Sequence, residues 1–255
     1  IRDTSVTGVQ TCALPILGGA ASSFIIAAVD CTGHGVPGAF MSMIGNDLLN
    51  EIVNKRKINQ PAKILGELND GIVNALKQTG EGSETKDGMD IALCVFDVMN
   101  GHVIPTNKGG RGMLQYSGAF NSLYLIRKNV INSDLVNNDK VIIFGEDLVE
   151  IKGNRFPIGM DKVGETDFRG RTKEFSNHNI HLEKGDCVYI FSDGFADQFG
   201  GPEDKKFTYN QFKELILNIN HLSMREQRET LEQTFEKWKG KEEQVDDVLV
   251  IGIRV

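Results

Sequence analysis

Several features are scarce in this chain of 255 residues, and each absence narrows what it can be. No apolar run approaches the roughly 20 residues of a membrane helix, and no charged leader precedes a signal-like core. We therefore expect a cytoplasmic location and no membrane segment. The few cysteines form no CxxC pair and no cluster with histidine, which argues against a zinc site and favours reduced, mostly buried thiols. They are Cys12, Cys31, Cys94 and Cys187.

Positive charge is also in short supply. The chain has 28 Lys and Arg against 35 Asp and Glu, a net charge of -7. Nucleic-acid surfaces depend on clustered Lys and Arg, so this composition argues against such a partner. The 40% hydrophobic and 25% charged residues are ordinary for a globular protein. Without an internal repeat or a Pro- or Ser-rich linker, we predict one domain.

The first sixteen residues do not fit this domain. Residues 1–16 mix Thr, Val, Cys and Pro without helical or strand periodicity. We interpret them as a non-native, adapter-derived leader, and we predict that residues 17–255 form the domain.

The rest of the chain has its strand and helix patterns in separate blocks. An apolar run at 24–29 predicts a buried strand that ends at Asp30, and further strands are predicted at 91–96, 113–116, 122–126, 140–144, 187–191 and 248–255. Two successive helices are predicted after Pro37 and near Pro61, and residues 80–86 predict a loop. Their apolar stripes are Phe40, Ile44, Leu48 and Ile52, then Leu65, Leu68, Ile72 and Leu76.

Two more helices are predicted near the end of the chain. The first has an apolar stripe formed by Phe212, Leu215, Ile216 and Ile219. Ser223 and Glu226 form a capping-box pattern for the second. Because strands and helices occur in blocks, the pattern favours an α+β fold over repeated βαβ units.

Three acidic positions share one context. Asp30 ends its strand, Asp193 ends the strand at 187–191, and the pair at 246–247 opens the last strand. Carboxylates at adjoining strand ends can converge, and oxygen ligands favour magnesium or manganese over zinc or copper. An unpaired carboxylate near a core is costly unless a metal or hydrogen bonds compensate it. We therefore expect a dinuclear centre with oxygen ligands.

Three segments carry a family resemblance. They are residues 30–39 (DCTGHGVPGA), 191–195 (FSDGF) and 246–250 (DDVLV). In order and spacing they resemble the SpoIIE-like branch of the PPM, or type 2C-like, protein phosphatases. Residues 116–119 (YSGA) and 156–160 (FPIGM) are similar to the intervening family segments, so the resemblance runs from about residue 24 to residue 255.

The resemblance implies a fold and a ligand set. The fold is a sandwich of two antiparallel β-sheets flanked by α-helices, with the metal pair at one edge. By position, Asp30, the backbone carbonyl of Cys31, and Asp193 would bind metal. The last ligand would be Asp246 or Asp247, with Asp246 favoured.

The resemblance also implies an activity and partners. The activity is hydrolysis of phosphoserine or phosphothreonine by a water activated between two Mn²⁺ or Mg²⁺ ions. The substrate would be a phosphoprotein, such as an anti-sigma antagonist of the STAS type or a similar bacterial regulator. A sensory region commonly precedes such domains, so we expect one to be missing from this chain. The two helices after Pro37 could form a homodimer surface or simply cover a sheet.

The chain departs from the family at one point. SpoIIE-like domains have an earlier Gly-Gly-Asp segment whose Asp bridges both metals, whereas here residues 18–20 are Gly-Gly-Ala. We therefore expect the intact natural domain to be active and the chain as written to be weak or inactive. The alternative is a pseudophosphatase, a binding module that recognises its partner without hydrolysis.

Other residues gave weaker signals. His34 could act as a general acid, but a His between two glycines more often orients a turn. The acids of segment 87–90 (DGMD) open another strand and could approach the centre, but Asp-Gly is first of all a turn signal, and the turn interpretation is preferred. Arg111 and Arg155 are candidate phosphate contacts without a decisive context. No Cys-x5-Arg loop follows Cys31, and no GxxxxGK[ST] loop indicates nucleotide phosphoryl transfer.

Overall fold

The computed structural model describes residues 12–16, 23–33, 36–76, 87–99, 102–105, 112–130, 140–159, 164 and 173–255. Within these ranges the chain forms two large antiparallel sheets, and helices pack on the outer face of each. The predicted α+β sandwich of two antiparallel β-sheets flanked by α-helices is therefore confirmed.

The first sheet contains six strands. In spatial order they are β1 (Cys12–Ile16), β2 (Ser23–Cys31), β3 (Met89–Met99), β5 (Met113–Ala119) and β9 (His178–His181), and β4 (His102–Val103) pairs with β3. Every pairing is antiparallel. The nine-residue register between β2 and β3 holds the end of β2 in place.

The second sheet contains five strands, also paired antiparallel. In spatial order they are β13 (Val250–Arg254), β10 (Cys187–Phe191), β6 (Leu123–Ile126), β8 (Leu148–Ile151) and β7 (Val141–Phe144). A small hairpin joins β11 (Phe199–Gly200) to β12 (Lys205–Lys206).

Helices cover both sheets. On the first sheet lie α1 (Val36–Asn50), which continues as a π-helical turn over Glu51–Lys55, and α2 (Pro61–Leu76). On the second lie α3 (Gly194–Asp197), α4 (Tyr209–Ile219) and α5 (Met224–Lys239). The capping box predicted for α5 is present, because the Ser223 side chain accepts from the Glu226 backbone N–H while the Glu226 carboxylate accepts from the Ser223 backbone N–H.

Residues 24–29 of strand β2 are all apolar, and both faces of this part of the strand are buried or partly buried. Ile25, Ala27 and Val29 pack under α1 and α2, whereas Ile26 and Ala28 pack between the two sheets. Such a strand has no alternation of polar and apolar residues. The first polar side chain after this run is that of Asp30, at the point where the strand leaves the core.

The buried stripe of α1 differs from the prediction. Its buried positions are Gly38, Met41, Gly45 and Leu49, while Ile44 and Leu48 are only partly buried. Phe40 is 59% exposed, so the predicted stripe was rotated by about one residue. The reason is that apolar residues occupy neighbouring helical rows, and packing against β3 selects the row that contains Gly45. A Cβ at Gly45 would lie 2.9 Å from Met89 Cε.

Most of the predicted strands are present, with bounds that differ by a few residues. The structure adds β1, β4, β8, β9, β11 and β12, which are short or lack a clear alternation. Cys12–Ile16 pairs with β2 although no strand was predicted there. Residues 1–11, 17–22 and 80–86, together with His34 and Arg111, lie outside the described residues.

Two expectations from composition concern thiols and membrane helices. Cys94 and Cys187 are buried free thiols, and Cys31 is a half-buried one. In the described part of the chain, no helix combines the length and apolarity needed to cross a bilayer.

Candidate metal centre

Asp30 is placed by the pairing of β2 with β3. In this register it lies opposite Asp90. Beyond the strand, the Thr32 backbone N–H donates to the Gly88 carbonyl at 2.9 Å, and Gly33 turns the chain with a φ of +91°. Such a positive φ is unfavourable for most residues, which explains a glycine at this position. The Asp30 carboxylate is thereby fixed at the edge of the first sheet.

Asp193 lies between the end of β10, which it follows after Ser192, and the single turn of α3. The next residue, Gly194, lies against the loop that precedes β13. A Cβ at Gly194 would be 2.3 Å from the Asp247 carbonyl oxygen, so any larger residue would push the two loops apart. The Asp-Gly sequence at this strand end is therefore required by the close approach of two backbones.

The loop bearing Asp246 is tied to the Asp193 loop by a buried serine. The Ser192 hydroxyl donates to the Asp247 carbonyl at 2.6 Å and accepts from the Leu249 backbone N–H at 2.9 Å. Gln198 holds the same loop further upstream, because its side-chain amide donates to the Glu243 carbonyl at 2.9 Å. Ser192 and Gln198 are almost fully buried, so the position of this loop is set by the core.

The three loops bring the carboxylates of Asp30, Asp193 and Asp246 together. One oxygen of each lies within 4.8 Å of the others. Asp30 and Asp193 are half-buried and Asp246 is exposed, so the cluster opens to solvent on one side. No Lys or Arg of the described residues forms an ion pair with any of the three.

The Asp193 side chain has an uncompensated atom. Its Oδ1 is buried and has no hydrogen-bond partner among the described residues. A buried carboxylate oxygen without a partner is costly, and a cation would remove this cost. The donor set of the three residues consists of carboxylate oxygens, which suits a hard divalent cation such as Mg²⁺ or Mn²⁺.

Burial and mutual repulsion change the protonation of Asp30 and Asp193. Burial, followed by the charges of Asp246 and Asp193, raises the pKa of Asp30 to about 8. Burial and the charge of Asp246 also raise the pKa of Asp193, an effect that a hydrogen bond with Asp30 partly offsets. Without a cation, the site therefore retains protons that isolated carboxyls would release.

The structure separates the two members of the Asp246–Asp247 pair. Asp246 is in the cluster, whereas Asp247 is not, although its charge also contributes to the raised pKa of Asp30. Asp247 is 8% exposed, and its backbone N–H donates to Asp246 Oδ1 at 2.7 Å. This arrangement favours Asp246 as the ligand, and ligation by either remains a prediction.

Cys31 lies next to the cluster, with its side chain directed elsewhere. The thiol packs against the core beneath α1, where Ser42 Oγ donates to it at 3.5 Å. This placement agrees with the expectation that the side chain points inward. Metal binding by the Cys31 carbonyl stays a prediction.

Asp90 is the acid that the sequence interpretation considered for the centre and set aside. It was assigned to a turn because Asp87-Gly88 is a turn signal, but it lies within β3. Burial and then the charge of Asp193 raise its pKa to about 7, so it belongs to the same electrostatic site. An acid at the start of an apolar strand was the available signal, and its position opposite Asp30 emerges only from the register.

The two-sheet sandwich with acids at one edge is the architecture of PP2C, or PPM, phosphatase domains. The chain is similar to the SiaA-PP2C domain of Pseudomonas aeruginosa, with 26% identity and a TM-score of 0.69 over 92% of this chain and 77% of that one. It is also similar in fold to the PP2C phosphatase domain, solved with a fragment of the regulatory domain, of SpoIIE from Bacillus subtilis. There the identity is 15% and the TM-score 0.60, over 96% of this chain and 57% of the other.

A third similar structure contains the RsbU and RsbW domains of a Mycobacterium tuberculosis protein. Its identity is 16% and its TM-score 0.57, over 99% of this chain and 56% of that one. No curated protein sequence matched the chain.

Residues 138–255 match the family model described as Stage II sporulation protein E (SpoIIE). The matched part contains Asp193 and Asp246, while Asp30 lies before it. Together with the structural similarity to PP2C domains, this match to just under half of the chain supports a SpoIIE-like PPM phosphatase domain.

Proposed function

We propose that this domain is a metal-dependent protein serine/threonine phosphatase that acts on a bacterial regulatory phosphoprotein. The observation that carries the proposal is the meeting of Asp30, Asp193 and Asp246 within 4.8 Å, without a cationic partner among the described residues. Acids brought together by three separate loops, with a buried unpartnered oxygen on Asp193, need a positive charge that the described chain does not supply.

Two Mn²⁺ or Mg²⁺ ions fit this donor set. Asp30, Asp193 and Asp246 would hold them, with the Cys31 carbonyl and Asp247 as further candidates. RsbX, whose fold is similar (TM-score 0.51, 12% identity, 97% of each chain), was solved in complex with magnesium. When bound, such ions activate a water molecule for attack on phosphorus and neutralise charge on the phosphoryl oxygens.

The protein residues contribute position and charge balance. Ser192 and Gly194 hold the Asp193 and Asp246 loops at a fixed separation. Asp90 adds negative charge to the same site. A phosphoserine carries about −1.5 to −2 charge near neutral pH, so this edge would repel the substrate unless cations were bound.

We propose a regulatory protein as the partner. One similar structure combines an RsbU and an RsbW domain, and another, with 16% identity and a TM-score of 0.53, comes from the bacterial stressosome. An anti-sigma antagonist of the STAS type, or a similar regulator, is the substrate that we infer. A cytoplasmic location, a homodimer, a missing N-terminal sensory region, a domain over residues 17–255 and an adapter-derived leader over residues 1–16 remain proposals.

The pseudophosphatase alternative follows from Gly-Gly-Ala at residues 18–20, where the family resemblance implies Gly-Gly-Asp. A protein lacking the bridging acid would bind its partner with little or no turnover. The Ala20→Asp variant separates the two functions, because it restores the family's residue in a single step. We expect it to hydrolyse a phosphoserine protein with manganese much faster than the chain as written. Equal turnover by both would contradict our interpretation of this position.

The metal site can be tested independently of turnover. We expect calorimetry to detect manganese binding to the chain, and the isosteric Asp193→Asn variant to lose it. Asp197→Asn is the matched control, since Asp197 lies on the same helical turn but pairs with Lys206 at 2.9 Å. Manganese binding that survives Asp193→Asn would refute the proposed metal centre.

A further inference from the structure

A cavity of about 260 Å³ opens beside the acid cluster. Its walls are the turn before β6, the segment after β8, the end of β10 and the start of α4. Three aromatic side chains contribute to the lining, those of Phe120, Phe191 and Tyr209. This volume lies below the range of about 300–1,000 Å³ that is typical of small-molecule sites, so it suits a side chain better than a whole nucleotide.

Tyr209 connects the cavity to the acid cluster. Burial, then the charges of Asp193 and Asp197, and more weakly those of Asp90 and Glu150, raise its pKa. The phenol therefore lies in the electrostatic field of both the cluster and the cavity. Phe191, two residues before Asp193, lines the cavity from the second sheet. A peptide whose phosphorylated residue occupied the cluster would have its neighbouring side chains at this cavity.

The cavity has the opposite charge to the cluster. Lys152 and Arg155 line it, and in the described ranges neither takes part in an ion pair. Its acid, Glu150, is already bound, because Lys213 Nζ lies 2.8 Å from one oxygen and Ser122 Oγ donates to the other at 3.0 Å. The net effect is a cationic cavity in a chain of charge -7.

Backbone hydrogen bonds hold one wall of this cavity in place. The Phe120 N–H donates to the Asn154 carbonyl at 2.8 Å, and the Asn154 N–H donates to the Gly118 carbonyl at 2.7 Å. Phe120 has a φ of +55°, and its side chain is 50% exposed. Asn121 adds an amide nitrogen, Nδ2, that is buried and has no hydrogen-bond partner among the described residues. An unsatisfied donor at a cavity wall can be satisfied by an acceptor on a ligand.

We propose that this cavity binds an acidic side chain, Asp or Glu, located next to the phosphorylated residue of the substrate protein. Arg155 is the main contact, because a guanidinium matches a carboxylate in a bidentate manner, and Lys152 adds positive charge. The aromatic side chains would pack against the apolar part of the bound segment. This inference rests on the proposed phosphatase function, and it names the substrate feature that the domain selects.

The test uses two fluorescent phosphoserine peptides that differ only in having Glu or Gln on both sides of the phosphoserine. Fluorescence anisotropy in manganese measures their affinities for the full chain, so the result does not depend on turnover. We expect the Glu peptide to bind about fivefold more tightly, the upper range for a partly exposed ion pair. Arg155→Gln should remove this preference by lowering the affinity for the Glu peptide to that for the Gln peptide.

Lys128→Gln is the matched control, because it removes one positive charge at an exposed turn that does not line the cavity. It should retain the preference for the Glu peptide. The proposal is refuted if the wild type shows no preference, if it binds neither peptide, or if Arg155→Gln retains the preference. It is also refuted if Arg155→Gln weakens both peptides equally, since Arg155 would then contact the phosphate itself.

Hydrolysis of p-nitrophenyl phosphate by the Ala20→Asp variant distinguishes failure of this inference from failure of the proposed function. This substrate has no flanking side chain, so its turnover depends on the metal centre alone. Turnover without a preference for Glu would refute only the acidic-side-chain site. A preference for Glu without turnover would support the site and contradict the phosphatase function.

Discussion

Asp186 and the acid cluster both take carboxylates out of bulk water, and their charges are compensated in opposite ways. Asp186 is 2% exposed and accepts from Arg127 Nε at 3.0 Å, from Arg127 Nη2 at 2.5 Å and from the Glu183 backbone N–H at 2.8 Å. The cluster of Asp30, Asp193 and Asp246 is less buried, and its members face one another without a cation from the described chain.

The difference in charge compensation distinguishes a structural carboxylate, Asp186, from the carboxylates of a candidate binding site. A buried carboxylate that is paired and hydrogen-bonded has its charge balanced by the protein and needs no ligand. Carboxylates that repel one another lower stability, so their retention indicates a ligand that supplies the missing charge. Burial alone would select Asp186, the wrong residue for a metal site. The absence of compensation selects Asp30 and Asp193.

The largest expected effect on stability comes from removing the paired carboxylate, Asp186. Asp186→Ala would leave the buried Arg127 guanidinium without its main partner, and we expect the free energy of unfolding to fall by about 3–5 kcal/mol. Chemical denaturation measures this change. Glu183→Ala is the control, because Glu183 pairs with the same arginine at 3.1 Å but is 65% exposed. If both variants cost the same, the buried pair has no special structural role.

The next effect concerns the loop connection at the cluster. Ser192→Ala would remove the hydroxyl that bridges the Asp247 carbonyl and the Leu249 N–H, so both backbone groups would lose this hydrogen bond. We expect a loss of about 1–3 kcal/mol in the free energy of unfolding and weaker manganese binding in calorimetry. A loss of stability with unchanged manganese affinity would indicate that Asp246 does not need this support.

A smaller effect is expected from pH in the metal-free protein. The pKa values of Asp30, about 8, and Asp90, about 7, lie above the usual 3.8. The folded state therefore keeps protons that the unfolded chain releases, so the contribution of these two groups to stability is greatest below about pH 4 and is lost as the pH rises towards about 8. In EDTA the unfolding midpoint should fall by a few degrees over this range, since partial solvent contact screens the repulsion.

The Asp30→Asn variant is the reference for this measurement. It lacks the titrating group while other ionisable residues are unchanged, so its midpoint should vary less with pH. Manganese should flatten the wild-type curve in the same way. An identical pH slope for wild type and variant would contradict the repulsion inferred for the cluster.

The smallest effect has the opposite sign to that of Asp186→Ala. In the metal-free protein, Asp193→Asn removes one of the repelling charges at nearly constant shape. We expect the free energy of unfolding to rise by about 1 kcal/mol, measured by urea denaturation in EDTA. A fall would place Asp193 with Asp186 among the structural acids and would remove the contrast between the two groups.

The sequence predicts most of the architecture because the main elements have strong local signals. The apolar run of β2, the stripe of α2 and the capping box of α5 are each contained in a few neighbouring residues. Acids at strand ends likewise identified Asp30 and Asp193. These signals arise from interactions between residues that are close in the chain, so they can be recognised in a single sequence.

What the sequence could not provide depends on long-range pairing. Asp90 was taken for a turn residue, because only the β2–β3 register places it opposite Asp30. The α1 stripe was rotated since Phe40 and Met41 are both apolar, and only packing at Gly45 decides between their rows. The cavity beside Tyr209 joins four distant segments, so no local pattern indicates it.

The two-sided burial of β2 has a consequence for the accuracy of the proposed metal centre. A slip of one residue would move Asp30 by about 3.3 Å and turn its carboxylate to the other face of the sheet. Polarity cannot oppose such a slip, because both faces of the strand are apolar, so side-chain size must do so. Ala27 and Ala28 are fully buried, so a slip would force the larger side chain of Ile26 or Val29 into the space of a methyl group about 7–10 Å from Asp30.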